Sequence, residues 1–562
     1  MSNIEDEKKG DVYTSANHLE YEEKAQGVIS DNFGQYINDA ADASSQQKGQ
    51  TIREAVSMYP MGIVFSLIFS TAIIMEGYDT LLLGQFYAQP AFAARFGFYD
   101  AASRSYQIPA QWQTALGAGG QVGQILGLQI TGWASDRFGY RKTMAAALIA
   151  ITGLLFLQFF ATGLPMLLIA YILLGFPFGT FQTMTVAYAS ELMPVALRPI
   201  LTTYVNLCWV IGQIIASGVN LAFIGDESEW AYKIPFAIQW IWPVPIMIGI
   251  FFAPESPWFL VRKGKLEDAE RCMLKITSRA HYSVEDARKA VAMMVHTNEI
   301  EKEVMTGTSY RDCFRGINFR RTEIACIVWL IQTTCGSPLM GQGTYFLVQA
   351  GLSAKTASTL NLCMFAVGAC GTIASWPLMK VAGRRTLYLY GQVALFALML
   401  LTGILGSVNL AAGTPSAGTS YAIGAFLILF TGLYDLTVGP VCYCLVAEIG
   451  STRLRAKTVV LARNLYNLGG VVVNVLNPQM LNPTAWNLGA RSGYLWAACG
   501  LVGIVWTFFR LPEPKGRTFG ELDILFEERV PARHFARTQV DEFKAAERNA
   551  ASAALGGGAM VH

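Results

Sequence analysis

Hydrophobic and polar positions alternate along this chain in long blocks. Runs of about 20 mostly apolar residues, the length a helix needs to cross a bilayer, fall near 59–81, 112–133, 143–162, 165–189, 200–223, 235–253, 324–349, 357–379, 386–406, 421–446, 458–480 and 493–511. They predict an all-α polytopic membrane protein of twelve transmembrane helices, spans 1 to 12. A stretch rich in Lys, Arg, Glu and Asp, 254–322, divides the spans six and six. The expected organisation is a disordered N-terminal tail (1–58), a six-helix half (59–253), a central loop (254–322), a second six-helix half (323–511) and a C-terminal tail (512–562). Residues 1–50 are polar and hold no apolar h-region, so no cleavable signal peptide is expected.

Orientation follows from Lys and Arg, which concentrate in cytoplasmic connections. The connection after span 2 carries Arg137, Arg141 and Lys142, and that after span 4 carries Arg198. The connection after span 8 carries Lys380, Arg384 and Arg385, and that after span 10 carries Arg453, Arg455 and Lys457. The odd-numbered connections are poor in such residues, except that after span 1, with Arg95 and Arg104. The even-numbered connections, the central loop and both termini are therefore expected in the cytoplasm.

Composition narrows the classes. Hydrophobic residues make up 53% and charged residues 15% of the 562, against about 25% charged in a soluble domain. So few charges leave lipid as the natural solvent for most of the chain. A net charge of +2 argues against nucleic acid as a partner. The ten cysteines show no CxxC or Cys/His spacing and read as small core-filling thiols. All five histidines lie outside the apolar runs. No nucleophile–base pair, phosphate-binding loop or metal cluster stands out, so neither an enzyme nor a cofactor is expected.

The two halves echo each other. Tyr188-Ala189-Ser190-Glu191, then Arg198, ends span 4, and Val446-Ala447-Glu448-Ile449, then Arg453 and Arg455, ends span 10. Gly132 to Lys142 follows span 2 as Gly383-Arg384-Arg385 follows span 8. Duplicated halves are the architecture of secondary transporters. With these motifs, Pro254-Glu255-Ser256-Pro257-Trp258-Phe259-Leu260, Gly439-Pro440-Val441-Cys442-Tyr443 and Pro512-Glu513-Pro514-Lys515-Gly516-Arg517-Thr518-Phe519, the chain resembles the sugar porter family of the major facilitator superfamily over residues 60–515. Met75-Glu76-Gly77-Tyr78-Asp79-Thr80 with Phe86-Tyr87-Ala88-Gln89-Pro90-Ala91-Phe92 is similar to fungal maltose-type permeases. The resemblance implies a plasma-membrane sugar transporter working by alternating access, with proton-coupled uptake of an α-glucoside such as maltose. A facilitative hexose, lactose or cellobiose carrier and a sugar sensor remain the alternatives. One chain holds both halves, so a monomer is expected to function.

Glu76 and Asp79 lie three apart on one helical face, inside an apolar span. A carboxylate there either pairs with a cation or holds a proton. No Lys or Arg occurs between Pro60 and Phe92, so a partner must come from another span. By the resemblance, both match proton-coupling acids. The family's usual span-4 Arg is absent from Tyr171 to Gly179, and Gln124 stands where maltose-type permeases carry a further acid. Asp435 in span 10 is a third candidate for proton coupling, or a packing residue at a helix break.

A sugar site needs amides, hydroxyls and aromatic faces. Span 5 offers Asn206 and Gln213, the latter where the family binds sugar. Span 7 offers Gln332 and Gln342, span 10 offers Tyr443 where Trp is common, and span 11 offers Tyr466 and Asn467. At the cytoplasmic helix ends, Asp136 and Arg137 are expected to pair with a neighbouring helix end, beside Arg141. Glu191 with Arg198, and Glu448 with Arg455 beside Arg384, are the expected networks of the two halves; in the family such clusters hold the outward-facing state. Glycines 119, 123 and 127 in span 2, and 175 and 179 in span 4, predict close helix packing.

Overall fold

The computed structural model describes residues 51–538, apart from 102–104, 195–196, 279, 306–308, 413–415, 452–453, 516, 518 and 536. Most of the expected disordered tail, 1–50, lies outside the described residues. Its last residues, Ile52–Met58, form a helix capped by Thr51, whose hydroxyl accepts the Glu54 N–H.

Each apolar run becomes helical, because in hydrocarbon every N–H and C=O must be paired within its own segment. The helices of spans 1 to 6 cover Pro60–Phe86, Ala110–Phe138, Tyr140–Phe159, Leu164–Leu192, Arg198–Phe223 and Trp230–Phe252. In the second half, span 7 is broken into Gly316–Thr334, Pro338–Gly341 and Gly343–Gln349, and spans 8 and 9 are Ala354–Val381 and Arg384–Ala411. Span 10 is Ala417–Leu436 and Val438–Ile449, span 11 is Arg455–Leu481 and span 12 is Gly493–Arg510. Ten of these helices are long and apolar enough to cross a membrane on length and composition. Spans 2 and 7 fall short, one diluted by glutamines and glycines, the other interrupted where Pro338 brings no N–H and Gly336 turns at φ +112°. Span 1 runs to Phe86 rather than ending near residue 81, which sets Asp79 about 10 Å inside the helix. A two-stranded antiparallel hairpin, Phe98–Asp100 with Ser105–Gln107, follows span 1 as a small exception to the all-α expectation.

Glycines set the tightest crossing. A Cβ on Gly175 would stand 2.6 Å from the Gly120 carbonyl oxygen and 2.7 Å from the Gln124 nitrogen, while one on Gly123 would strike the Ile172 carbonyl. Gly127 and Gly179 are closed in the same way by Phe176 and Gln124 backbone, so spans 2 and 4 touch backbone to backbone. Gly119 faces only the side chains of Leu168 and Ile172.

The bundle has a basic end, which carries the connections after spans 2, 4, 8 and 10, and a far end. At the basic end each half repeats one device. Glu255, just past span 6, accepts the N–H groups of Tyr140 (2.8 Å) and Arg141 (3.3 Å) at the start of span 3. Glu513, just past span 12, accepts those of Arg384 (2.9 Å) and Arg385 (3.1 Å) at the start of span 9. Gly139, at φ +90°, and Gly383 leave the room: a Cβ on the first would lie 2.6 Å from the Glu255 carboxylate, and one on the second would strike Glu513. Both carboxylates sit where the helix N-terminus favours negative charge. Burial pushes the Glu255 carboxyl above its usual range, against the pull of the N–H groups it accepts. Glu255→Ala and Glu513→Ala should each cost about 1–3 kcal/mol through orphaned N–H groups, read as a lower thermal midpoint of the purified protein. An unchanged midpoint would remove the capping role.

The central stretch folds into Pro257–Arg262, Leu266–Ile276 and Val284–Met305, which pack on the first half; the Ser278 N–H donates to the Met58 carbonyl at 2.7 Å. After span 12 the chain turns back on the second half. Leu522, Leu525, Phe526 and Phe535 are buried there, and Arg321 stacks on the Phe526 ring at 4.4 Å. The expectation of core-filling thiols holds for Cys208, Cys335 and Cys442, whereas Cys363 and Cys370 are exposed on the outer face of span 8.

Candidate functional site

Span 1 carries the charged centre. A Cβ on Gly77 or on Gly212 would strike the opposing backbone of Trp209 or Ile74, so spans 1 and 5 are flush beside the two acids and leave no room for water on that side. Glu76 is fully buried. Its Oε1 accepts the Gln182 Nε2 of span 4 and, at 3.5 Å, the Gln124 Nε2 of span 2; its Oε2 is buried and unpartnered. The Gln182 Oε1 in turn accepts a guanidinium N–H of Arg463 at 2.7 Å. Arg463 belongs to span 11, in the other half, and lies 4.7 Å from the ring centroids of both Trp329 and Tyr466. Acid, amide and cation thus form one chain across the two halves.

Asp79 stands one turn further, with no cation in contact among the described residues. Its Oδ1 accepts Gln158 Nε2 of span 3 at 2.8 Å and Gln239 Nε2 of span 6 at 2.7 Å. Two amide donors stabilise a carboxylate while adding no fixed charge. Asp435 is buried away from this pair, against Gly368 of span 8, and takes no hydrogen bond among the described residues.

A cavity of about 270 Å³ opens between the halves, with Asp79, Gln124 and Gln182 in its wall. Of the expected sugar-binding residues, Gln213, Gln342 and Tyr466 line it. Tyr443 packs edge-on against Trp329 at 4.8 Å, and Gln332 reaches toward the Gly439 carbonyl at 3.5 Å. Asn467 accepts Gln121 Nε2 at 2.8 Å across the seam between spans 2 and 11, and the Asn206 amide nitrogen is buried without a partner. These four stand behind the wall. The wall itself adds Gln113, Gln121, Asn474 and Asn477, and the rings of Tyr87, Tyr171, Phe178 and Trp209.

At the far end the halves are bonded. Asn220 donates to Ser358 (3.3 Å) and Asn361 to Ser217 (3.2 Å), joining spans 5 and 8. Tyr345 donates to Gln107 (3.2 Å), and Asn482 to the Ile108 carbonyl (2.8 Å). Toward the basic end, the last described side-chain hydrogen bonds between the halves are Arg463 to Gln182 and Gln129 to Asn464 (3.2 Å).

The basic-end motifs pair within halves. Glu191 takes Arg262 at 2.9 Å, Tyr140 at 2.8 Å and the Ser256 hydroxyl; the side chain of Arg198, its expected partner, lies outside the described residues. Glu448 takes Arg384 at 3.1 Å, and the side chain of Arg455 is likewise outside them. Asp136 is exposed and makes no ion pair among the described residues, contrary to expectation. Arg137 stacks instead on Trp133 and Phe138, each at 5.8 Å. Arg141 donates to the Ile250 carbonyl at 3.1 Å.

Sequence reasoning asked for a cation from another span but passed over Arg463, nine residues inside span 11. It also passed over Gln158, Gln182 and Gln239. The signal was plain for Gln158 and Gln239, each a lone polar residue inside an apolar run, and weaker for Arg463 and Gln182, which stand beside Asn464 and Thr183.

Known proteins resemble this chain in sequence and in fold. The sequence profile described as Sugar (and other) transporter matches residues 65–526. Maltose permease MAL31 of Saccharomyces cerevisiae is 41% identical over 527 residues, covering 93% of this chain and 85% of that protein. The general alpha-glucoside permease of the same yeast is 41% identical over 511 residues, covering 90% and 82%. Among solved structures, the xylose transporter XylE from E. coli in a partially occluded inward open conformation superposes with TM-score 0.66 at 18% identity, over 82% of this chain and 100% of that one. XylE, a proton:xylose symporter, bound to 6-bromo-6-deoxy-D-glucose gives 0.65 at 19% identity, over 83% and 99%. At such identities the likeness is one of fold.

Proposed function

The chain belongs to the sugar (and other) transporter family, the sugar porters of the major facilitator superfamily, and from that premise we propose that it carries an α-glucoside such as maltose across the plasma membrane together with protons, by alternating access. The observation that carries the reading is the pair of buried carboxyls, Glu76 and Asp79, held by neutral amides, with Asp79, Gln124 and Gln182 in the wall of the inter-half cavity. Uncharged polar groups and aromatic rings suit sugar hydroxyls and ring faces, and the family's substrates supply the sugar class. The excess of Lys and Arg puts the basic end, the central stretch and both termini in the cytoplasm. The far-end bonds then close the outer face, so this is an inward-facing state. A single chain supplies both halves of the pathway and needs no second copy; nothing in its charge suits nucleic acid.

Sugar uptake by cells carrying this protein, in a host lacking its own sugar permeases, should alkalinise the medium. Unlabelled maltose should compete with the labelled sugar. Asp79→Asn removes a titrating group while keeping the shape, and should abolish accumulation above the external level, leaving at most equilibration. Uptake without alkalinisation, undiminished in Asp79→Asn, would leave facilitated diffusion. In that case the symport reading is wrong.

A further inference from the structure

We propose that Gln182 is a positioning residue that reports the charge of Glu76 to the opposite half of the transporter. The inference rests on the symport reading above and names the side chain through which release of the proton is felt. One primary amide spans the gap: its Nε2 donates to Glu76 Oε1, and its Oε1 accepts Arg463 at 2.7 Å. Those two contacts fix the orientation of the amide. With the nitrogen turned to the carboxylate, the oxygen must face the guanidinium, since an amide donates at one end and accepts at the other.

The charge on Glu76 decides whether that orientation is held. An ionised carboxylate is an acceptor only and pins the amide nitrogen. A protonated carboxyl offers a donor of its own and leaves the amide free to turn. Arg463 has no carboxylate in contact among the described residues; besides Gln182 it has the Tyr443 hydroxyl and the rings of Trp329 and Tyr466. When Glu76 is ionised, acid, amide and cation form a closed set spanning spans 1, 4 and 11. That set stabilises the inward-facing state after the proton has left. Gln124, at 3.5 Å from Glu76 and 3.4 Å from Gln182, is too distant to replace the link. The other titratable groups facing Glu76 are Asp79 on its own helix and Tyr466 on span 11. Neither makes a hydrogen bond to Glu76 among the described residues.

Gln182→Leu removes the link while keeping the apolar bulk. Glu76 then loses a donor that stabilised its ionised form, so proton release to the cytoplasm is hindered. Net uptake into cells or proteoliposomes should fall about tenfold, the factor that goes with one hydrogen bond to an ionised group. Exchange of internal for external labelled sugar needs no proton release and should stay within about twofold of wild type, well below that factor. Raising the internal pH should restore part of the net uptake. Should Gln182→Leu fail to reach the membrane, the same three readings on Gln182→Asn decide, since that shorter amide keeps the polarity but cannot reach both partners.

Net uptake and exchange falling together with no response to internal pH, or neither falling, overturns the proposal. Failure of the symport reading itself has a different signature, because wild type would then move sugar without protons.

Discussion

Arg463→Leu is expected to abolish concentrative sugar uptake while Arg463→Leu combined with Glu76→Gln keeps sugar exchange. The single variant leaves Glu76 ionisable, fully buried and cut off from the cation that reaches it through Gln182. Removing one member of a buried charge pair costs about 3–5 kcal/mol. The guanidinium is half-buried and acts through an amide, so the lower end, about 3 kcal/mol, applies, which is more than a hundredfold in the affected equilibrium. Stacking on Trp329 and Tyr466 is lost as well. The double variant removes both charges and leaves no buried charge unpaired, so the fold and sugar exchange persist without proton movement. Labelled-sugar accumulation and external pH, recorded together on the two variants, read this out. Wild-type accumulation in Arg463→Leu would show that the cross-half cation has no part in coupling.

The second large effect is on folding. Gly175→Val should leave little folded transporter in the membrane, and Gly175→Ala should lower the yield and thermal midpoint. The atoms a Cβ would meet at 2.6–2.7 Å are the backbone of Gly120, Gln124 and Gly123 on span 2, which cannot swing aside as a side chain can. Overpacking costs about 1–3 kcal/mol where neighbours yield, and here the whole helix would have to move. Gly153→Ala is the control, because nothing lies within 4 Å of a Cβ there. Fluorescence-detected gel filtration and melting of detergent-solubilised protein compare the three. Equal yields of Gly175→Val and wild type would show that spans 2 and 4 need no backbone contact.

The glycines show what kind of information a sequence holds. Gly123, Gly127, Gly175 and Gly179 stand four residues apart on helices that must be buried in lipid or protein, and spacing alone marked them as a packing face. Span positions were legible for the same reason, since an apolar run in a bilayer has one way to pair its backbone. Span 7 was legible only as a single run; the structure breaks it where Gly336 turns at φ +112° and Pro338 starts the next short helix. The motifs Pro254-Glu255 and Pro512-Glu513 were visible as motifs, but not as caps of spans 3 and 9. Those helices begin about 115 and 130 residues earlier in the chain than the acids that cap them, a separation over which sequence spacing carries no geometry.

Sequence by itself determined the solvent of this protein, the twelve helices, the duplication, the basic end and the two span-1 acids, because each follows from local hydrophobicity, charge and periodicity. Only the tertiary structure decided the partners of those acids. Glu76 is answered by Arg463 through Gln182, from residues 106 and 281 positions apart in the two links, and Asp79 by Gln158 and Gln239. A buried charge must be satisfied within hydrogen-bond reach of about 3 Å, and which side chains come that close is set by how helices cross in space.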